Sequence, residues 1–238
     1  MGLMSMKFNK RFAFTLSEVM ITLTLIGFIA TMTLSTVGSS VQQRARLAEF
    51  KTAYSKMEST LKSITVEENK IYKCYECPTN AEKKLYGLSM DGGCTASGNQ
   101  CQTLQDFFVR AMGATRFCEN NPISEGCLPE NYPKAPNGGC FSDMSSGKAY
   151  VLDNSMIIIT DGNKGLRQFA VDVNGRKGPN KWGHDIFTFS IKANESHTFN
   201  GKQYVSNLGI YPPSSCLPKS TGASKSSDEM LKDAINYK

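Results

Sequence analysis

The sequence predicts an α+β fold, in which a long N-terminal helix packs on an antiparallel β-sheet and a cysteine-rich insertion separates the two. Apolar residues recur at helical spacing up to about residue 66. Seven of the eight cysteines lie between residues 72 and 140, and short β-branched and aromatic runs follow from residue 148. A helix followed by consecutive strands is typical of an α+β arrangement, in which the helix covers one face of the sheet.

The first helix is predicted to cross a membrane over residues 14–37. No charged side chain lies between Val19 and Val37, and nineteen residues at about 1.5 Å each span about 28 Å, close to the roughly 30 Å of hydrocarbon in a bilayer. Basic residues precede the run, namely Lys7, Lys10 and Arg11. Positive charge favours the cytoplasmic side, so we expect the C-terminal domain to lie outside the cytoplasm.

Glu18 is the residue that an ordinary anchor does not explain. A lone carboxylate would cost about 2.5–3.5 kcal/mol at the centre of a membrane and less near its end, so Glu18 requires a partner. A plain signal peptide is disfavoured because the apolar run is long and no small-residue cleavage site follows it. A simple single-span anchor is the other alternative, and it leaves the Phe14-Thr15-Leu16-Ser17-Glu18 cluster without a role.

This N-terminus, with Ala13 before Phe14-Thr15-Leu16-Ser17-Glu18 and Gly27 within the apolar run, resembles the processing site of type IV pilins and type II secretion pseudopilins. The resemblance implies a leader at residues 1–13, cleavage between Ala13 and Phe14, and methylation of the new Phe14 amine. It also implies that Glu18 pairs with the Phe14 amine of a neighbouring subunit. Two costly charges at similar depth become tolerable when they are paired.

The same resemblance implies the pilin-like lollipop fold and a set of partners. These are homologous pilin or pseudopilin subunits, the prepilin peptidase, an inner-membrane assembly platform, and inner-membrane lipid before assembly. The expected location is the inner membrane, with a single span, and then a periplasmic or cell-surface filament.

Residues 38–66 are predicted to continue the helix as an amphipathic segment. Gly38-Ser39-Ser40 is a weak point, because glycine costs about 1 kcal/mol relative to alanine inside a helix. Beyond it, an apolar stripe recurs at spacings of 3, 4, 3, 4 and 3, through Leu47, Phe50, Tyr54, Met57, Leu61 and Ile64. Such a stripe faces one partner surface. A coiled coil is the alternative, but fewer than four heptads are present.

The cysteine-rich region is predicted at residues 67–147, with one helix at residues 103–113 capped by Thr103. The cysteines are Cys74, Cys77, Cys94, Cys101, Cys118, Cys127, Cys140 and, farther along, Cys216. The Cys74-x-x-Cys77 spacing also suits a zinc site or a redox motif. An even number of cysteines in an exported domain favours disulfides, whose connectivity cannot be deduced from sequence.

The antiparallel sheet is predicted at residues 148–216. The runs at 148–152 and 155–160 form a hairpin around a two-residue Asp153-Asn154 turn, and further strands follow at 166–173, 185–192 and 204–211. The remaining residues, 217–238, are rich in serine and lysine and are expected to be flexible, with a terminal helix capped by Ser227.

The loop at residues 172–185 is a candidate calcium site. Asp172, Asn174, Asn180 and Asp185 offer side-chain oxygens among glycines, and calcium prefers oxygen ligands on permissive turns. The spacing is not that of an EF-hand. The loop loosely resembles the calcium loop of major pseudopilins, which implies calcium as a cofactor. Asx-rich turns, in which these side chains bond their own backbone, are the alternative.

The sequence argues against an enzyme, since it has only two histidines and no recognisable nucleophile motif. Removing the three basic leader residues leaves 24 basic against 21 acidic residues, a net charge of +3, so nucleic acid is not an expected partner. Two functions remain: a structural filament subunit, or a membrane-anchored binding pilin for DNA uptake or adhesion. The second would be favoured by an exposed aromatic side chain among lysines. Lys177, Lys181 and Trp182 lie close together in the sequence, but a solvated loop is the favoured interpretation of this group.

Overall fold

The structure, a computed structural model, describes residues 15–91, 94–136, 140–141, 146–162, 165–222 and 225–236. The chain divides into two compact units, Met1–Ala45 and Arg46–Lys238. Its helices are α1 (Leu16–Glu67), α2 (Asn80–Tyr86), α3 (Cys101–Ala111) and α4 (Ser227–Asn236). Its strands are β1 (Ser89–Met90), β2 (Ala114–Cys118), β3 (Lys148–Leu152), β4 (Ile157–Asp161), β5 (Gly165–Asp172), β6 (Ile186–Phe199) and β7 (Lys202–Tyr211).

The α+β class is therefore confirmed, with a long N-terminal helix and a mostly antiparallel sheet. Helix α1 continues without a break through residues 38–40, where the sequence indicated a weak point. Among the described residues, no helix is both long and apolar enough to cross a membrane. The span predicted at residues 14–37 and the lollipop shape stay predictions.

The sheet has seven strands in the order β1-β6-β5-β4-β3-β2, and β7 also pairs with β6. Every pairing is antiparallel except that of β1 with β6. The turn between β3 and β4 differs from the predicted two-residue turn. Leu152 N–H donates to Met156 O at 2.9 Å, which encloses three residues, and Ser155 adopts a φ of +70°. A third turn residue in the left-handed conformation is a common alternative in hairpins.

The predicted stripe of α1 covers one face of the sheet. Phe50, Met57 and Leu61 are completely buried, and the whole stripe belongs to the hydrophobic core with the inward side chains of the strands. The Phe50 ring lies 4.9 Å from that of Phe187 and 5.8 Å from that of Phe189. Burial of each such side chain contributes about 1.5–3 kcal/mol, so this contact joins α1 to the sheet.

The other face of the sheet is covered by loops of the cysteine-rich region. Ile157 and Ile159 of β4 point to this second face, while Ile158 between them points to the first. The covering side chains include Leu128, Tyr132, Ala135, Phe141 and Trp182. A strand buried on both faces has an uninterrupted apolar sequence rather than an alternating one, as residues 157–159 have.

All eight cysteines form disulfides, which the exported-domain interpretation predicted. The pairs are Cys74–Cys101, Cys77–Cys94, Cys118–Cys127 and Cys140–Cys216. Cys74 and Cys77 therefore pair with two different partners, which excludes a zinc or redox site made by these two thiols. The Cys140–Cys216 disulfide joins the cover of the second face to the segment after β7.

Two helix starts differ from prediction. Helix α3 begins at Cys101 rather than near Thr103, because the disulfide to Cys74 fixes this point and the Gln100 side chain accepts the Lys73 N–H at 2.9 Å instead of capping the helix. The tail contains the predicted terminal helix as α4, whose Met230 and Leu231 are buried in the core.

Ser226 occupies the position predicted for Ser227 at the start of α4. Its backbone N–H and its hydroxyl both donate to the Glu229 carboxylate, at 2.7 and 3.0 Å. The Ser227 hydroxyl accepts the Thr188 N–H at 2.8 Å. The predicted cap is therefore shifted by one residue, because β6 uses the Ser227 oxygen.

A buried ion pair joins α2 to β6. The Lys192 side chain is 0% exposed and its ammonium donates to the Glu82 carboxylate and, at 3.0 Å, to Ser214 Oγ. Glu82 also accepts the Thr79 N–H at 2.8 Å and so completes the capping box of α2. Burial raises the pKa of Glu82, but the bonds from Lys192 and Thr79 outweigh it and leave this pKa below its ordinary value.

Leu61→Ala should lower the free energy of unfolding by about 2–5 kcal/mol, because it leaves a cavity where α1 meets the sheet. Chemical denaturation of the full chain in detergent measures this change. Val66→Ala is the matched control, since Val66 is 77% exposed on the same helix. Equal stability of the two variants would show that the stripe is not part of the core.

Glu82→Gln should destabilise the fold by about 3–5 kcal/mol at pH 7, because it leaves the Lys192 ammonium buried without a counter-charge. The pKa of Glu82 is lower in the folded than in the unfolded chain, so its contribution is present above the unfolded value of 4.5 and is lost as the pH falls through the folded value.

The difference between wild type and Glu82→Gln should therefore shrink as the pH is lowered below 4.5 and through the lower pKa of the folded state. Denaturant titrations across this range measure it. Glu195→Gln, which removes an exposed carboxylate from β6, is the control and should change little. A pH-independent difference would contradict the charge assignment.

Candidate functional site

The first candidate site is the start of α1. Ala13 and Phe14, the predicted cleavage site, lie outside the described residues. Glu18 is exposed, and its carboxylate accepts the Thr15 N–H and the Thr15 hydroxyl, both at 2.9 Å. Thr15 Oγ1 in turn accepts the Glu18 N–H at 3.3 Å. The two residues form a reciprocal capping box, which satisfies donors that a helix start leaves free.

Beyond Glu18 the helix surface is apolar on every side. Ten large apolar side chains between residues 16 and 32 are at least 42% exposed: Leu16, Val19, Met20, Ile21, Leu23, Leu25, Ile26, Phe28, Ile29 and Met32. A contiguous apolar surface of this kind indicates an interaction with other proteins or with a membrane.

The threonines within this segment do not interrupt its apolar character. Thr22 donates to Glu18 O and Thr24 to Met20 O, both at 2.9 Å, and Thr31 donates to Phe28 O at 2.8 Å. Each hydroxyl donates its hydrogen bond to a backbone carbonyl of the same helix, so it needs no polar partner outside the helix. The sequence has no other charged residue between Phe12 and Gln43, so Glu18 is the one charge that this segment presents.

The second candidate site is the loop from Asp172 to Asp185, which the structure brings together around two buried carboxylates. Asp172 is 0% exposed and lies at the end of β5. Its Oδ1 accepts the Gly175 N–H at 2.8 Å and its Oδ2 accepts the Tyr132 hydroxyl at 2.9 Å. Burial raises the pKa of Asp172 to about 7; the Tyr132 bond opposes this rise and the nearby Asp185 adds to it.

Asp185, 1% exposed, holds the other end of the loop. Its Oδ1 accepts the Lys181 N–H at 2.5 Å and its Oδ2 accepts the Asn180 N–H at 2.8 Å. The Asn174 amide donates to Asp185 Oδ2 at 3.4 Å and to Gly178 O at 3.2 Å. The four predicted calcium ligands thus lie in one loop. Within the described ranges, no three His, Cys, Asp or Glu side chains are grouped to hold a metal ion.

Sequence reasoning missed Tyr132, which reaches this loop from the cover of the second sheet face. The neighbouring Pro133 accepts the Trp182 indole N–H through its carbonyl at 3.0 Å. Tyr132 lies 40 positions before Asp172, and no local pattern in the sequence links residues so far apart.

Trp182 itself is completely buried, between the exposed Lys181 and the buried Gly183. Its ring packs against Phe141, with centroids 5.8 Å apart. Trp182, the aromatic member of the Lys177, Lys181 and Trp182 group, is therefore not available for stacking on a base, and these three residues do not form a nucleic-acid surface.

Comparison with known proteins identifies a similarity in one part of the chain, near its start. No curated protein and no solved structure matches it. Residues 8–34 match the family model of the prokaryotic N-terminal methylation motif, which is the signal of type IV pilins and pseudopilins.

Proposed function

We propose that the chain is a structural subunit, a pseudopilin or minor pilin, of a type II secretion or type IV pilus-like filament. The methylation motif at residues 8–34 supports a pilin-like subunit. The observation that carries the proposal is the start of α1, where an exposed apolar helix presents one charged side chain, Glu18. Such a surface suits packing against copies of itself, with the charge setting the register.

The motif implies processing by a prepilin peptidase. Cleavage between Ala13 and Phe14 would create a new amine, which the same machinery would methylate. The amine would lie one position before Thr15 in the chain, and so four positions before Glu18. Charge and counter-charge would then occur at matching depth in every subunit.

Assembly would exchange one partner of Glu18 for another. In the isolated subunit its carboxylate accepts the Thr15 N–H and hydroxyl. In a filament, the carboxylate would meet the Phe14 amine of the adjacent subunit among apolar side chains. An unpaired charge there is costly, so the pair would select one register of stacking more than it would add net stability.

The proposed location follows from the same motif. The subunit would be anchored in the inner membrane with its C-terminal domain outside the cytoplasm, in contact with lipid and with an assembly platform. It would then enter a periplasmic or cell-surface filament. The four disulfides accord with an oxidising compartment. The proposal assigns the chain no catalytic role.

The mature chain is expected to begin at Phe14 with a methylated amine. Intact-mass and N-terminal peptide mass spectrometry of protein extracted from membranes of a host with a prepilin peptidase measures this. The first thirteen residues should be missing and one methyl group added. Ala13→Glu is the matched variant, since a bulky charge should block cleavage. An unprocessed leader in the wild-type chain would contradict the proposal.

Glu18→Gln should leave cleavage unchanged and slow filament assembly about tenfold or more, because the neutral amide keeps the shape and loses the charge that pairs with the amine. Sheared filaments, quantified by sedimentation and electron microscopy, measure the effect. Glu49→Gln is the matched control, since it removes an exposed carboxylate farther along α1.

Thr15→Val separates the two roles of Glu18, because it removes the hydroxyl of the capping box and leaves the carboxylate charge. It should slow assembly much less than Glu18→Gln. Assembly at the wild-type rate with glutamine at position 18 would show that the charge is dispensable.

A further inference from the structure

The carboxylate oxygens of the loop at residues 172–185 already face hydrogen-bond donors. Each of the four oxygens of Asp172 and Asp185 accepts at least one bond, from a backbone N–H or from the Tyr132 hydroxyl, at 2.5–2.9 Å. Both side chains are at most 1% exposed. Each of these carboxylate oxygens therefore already has one partner supplied by the protein itself.

The two asparagines of the loop present nitrogen to these carboxylates. Asn174 Nδ2 lies 3.4 Å from Asp185 Oδ2. The Asn180 side-chain amide is assigned the orientation in which its nitrogen donates hydrogen bonds to Asp172 Oδ2 at 3.2 Å and to Gly175 O at 2.9 Å. Amide orientation is assigned from such networks, and here every neighbour of that nitrogen is an acceptor.

This arrangement does not fit calcium. Calcium takes six to eight oxygen ligands at about 2.3–2.6 Å, and an amide nitrogen or an N–H hydrogen cannot serve as one. Asn174 Oδ1 is buried and has no hydrogen-bond partner within the described residues. A single free oxygen does not make a calcium site.

We propose that this chain fixes the loop without calcium, through the Tyr132 hydroxyl and the loop's own N–H groups acting on Asp172 and Asp185. Tyr132 makes the contact that joins the loop to the cover of the second sheet face, beside the Trp182 bond to Pro133. It is the positioning residue of the loop. This inference does not rest on filament assembly, and it can fail or hold independently of the proposed function.

Calcium and terbium titrations of the full chain in detergent, after treatment with a chelator, test the proposal. Millimolar calcium chloride should leave the melting temperature unchanged. If calcium bound to the folded chain, a free calcium concentration of one hundred times the dissociation constant would raise the melting temperature by about 5–10 °C. Terbium should gain no luminescence on excitation of Trp182, which lies within the loop. A chelator-reversible rise in melting temperature, or sensitised terbium emission, overturns the proposal.

Tyr132→Phe should lower the melting temperature by about 3–10 °C, because Asp172 loses a bond from a buried donor. Tyr204→Phe is the matched control, since Tyr204 is 46% exposed on β7, and it should change the melting temperature little. Calcium should not restore the stability of Tyr132→Phe. Equal melting temperatures of the two variants, or rescue by calcium, overturns the assignment. If Tyr132→Phe does not fold, the wild-type titrations still decide.

Discussion

The contact between the α1 stripe and the sheet is the interaction on which the C-terminal unit depends. Phe50, Met57 and Leu61 are buried among the inward side chains of the strands. The same helix closes an edge of the sheet: the Tyr54 hydroxyl donates to Ile210 O at 2.8 Å, and the Glu58 carboxylate accepts the Ile210 N–H. Unpaired edge strands invite further pairing, so α1 both builds the core and limits association through β7.

Two of the four disulfides hold the cover of the second sheet face in place. This cover is made of loops, which lack the regular hydrogen bonds that hold a helix in place. The Cys118–Cys127 disulfide closes one of these loops, and Cys140–Cys216 joins the cover to the chain after β7. Cross-links of this kind stabilise a fold mainly by restricting the unfolded chain. Tyr132 then extends the cover to the loop at residues 172–185.

The two units have different surface chemistry. The described residues from Arg46 onward bury most of their large apolar side chains around one sheet, whereas the segment from Leu16 to Met32 exposes ten of them. Within residues 15–32, no other described side chain of the first unit covers this apolar surface. This contrast is the physical reason why the proposed assembly surface lies on the first unit.

The sequence by itself determined the features that depend on near neighbours. The methylation motif, the isolated charge of Glu18, the stripe ending at Ile64 and five of the strands follow from residue type and spacing within a few positions. The start of α2 also has a local signature, the capping box Thr79-x-x-Glu82.

Only the tertiary structure decided the disulfide pairs, the Glu82–Lys192 ion pair and the Tyr132–Asp172 bond. Their partners lie 9 to 110 positions apart, and many chain topologies satisfy the same local patterns. The packing of the strands and loops determines which distant side chains come into contact. The local spacing of residues in the sequence contains no information about these contacts.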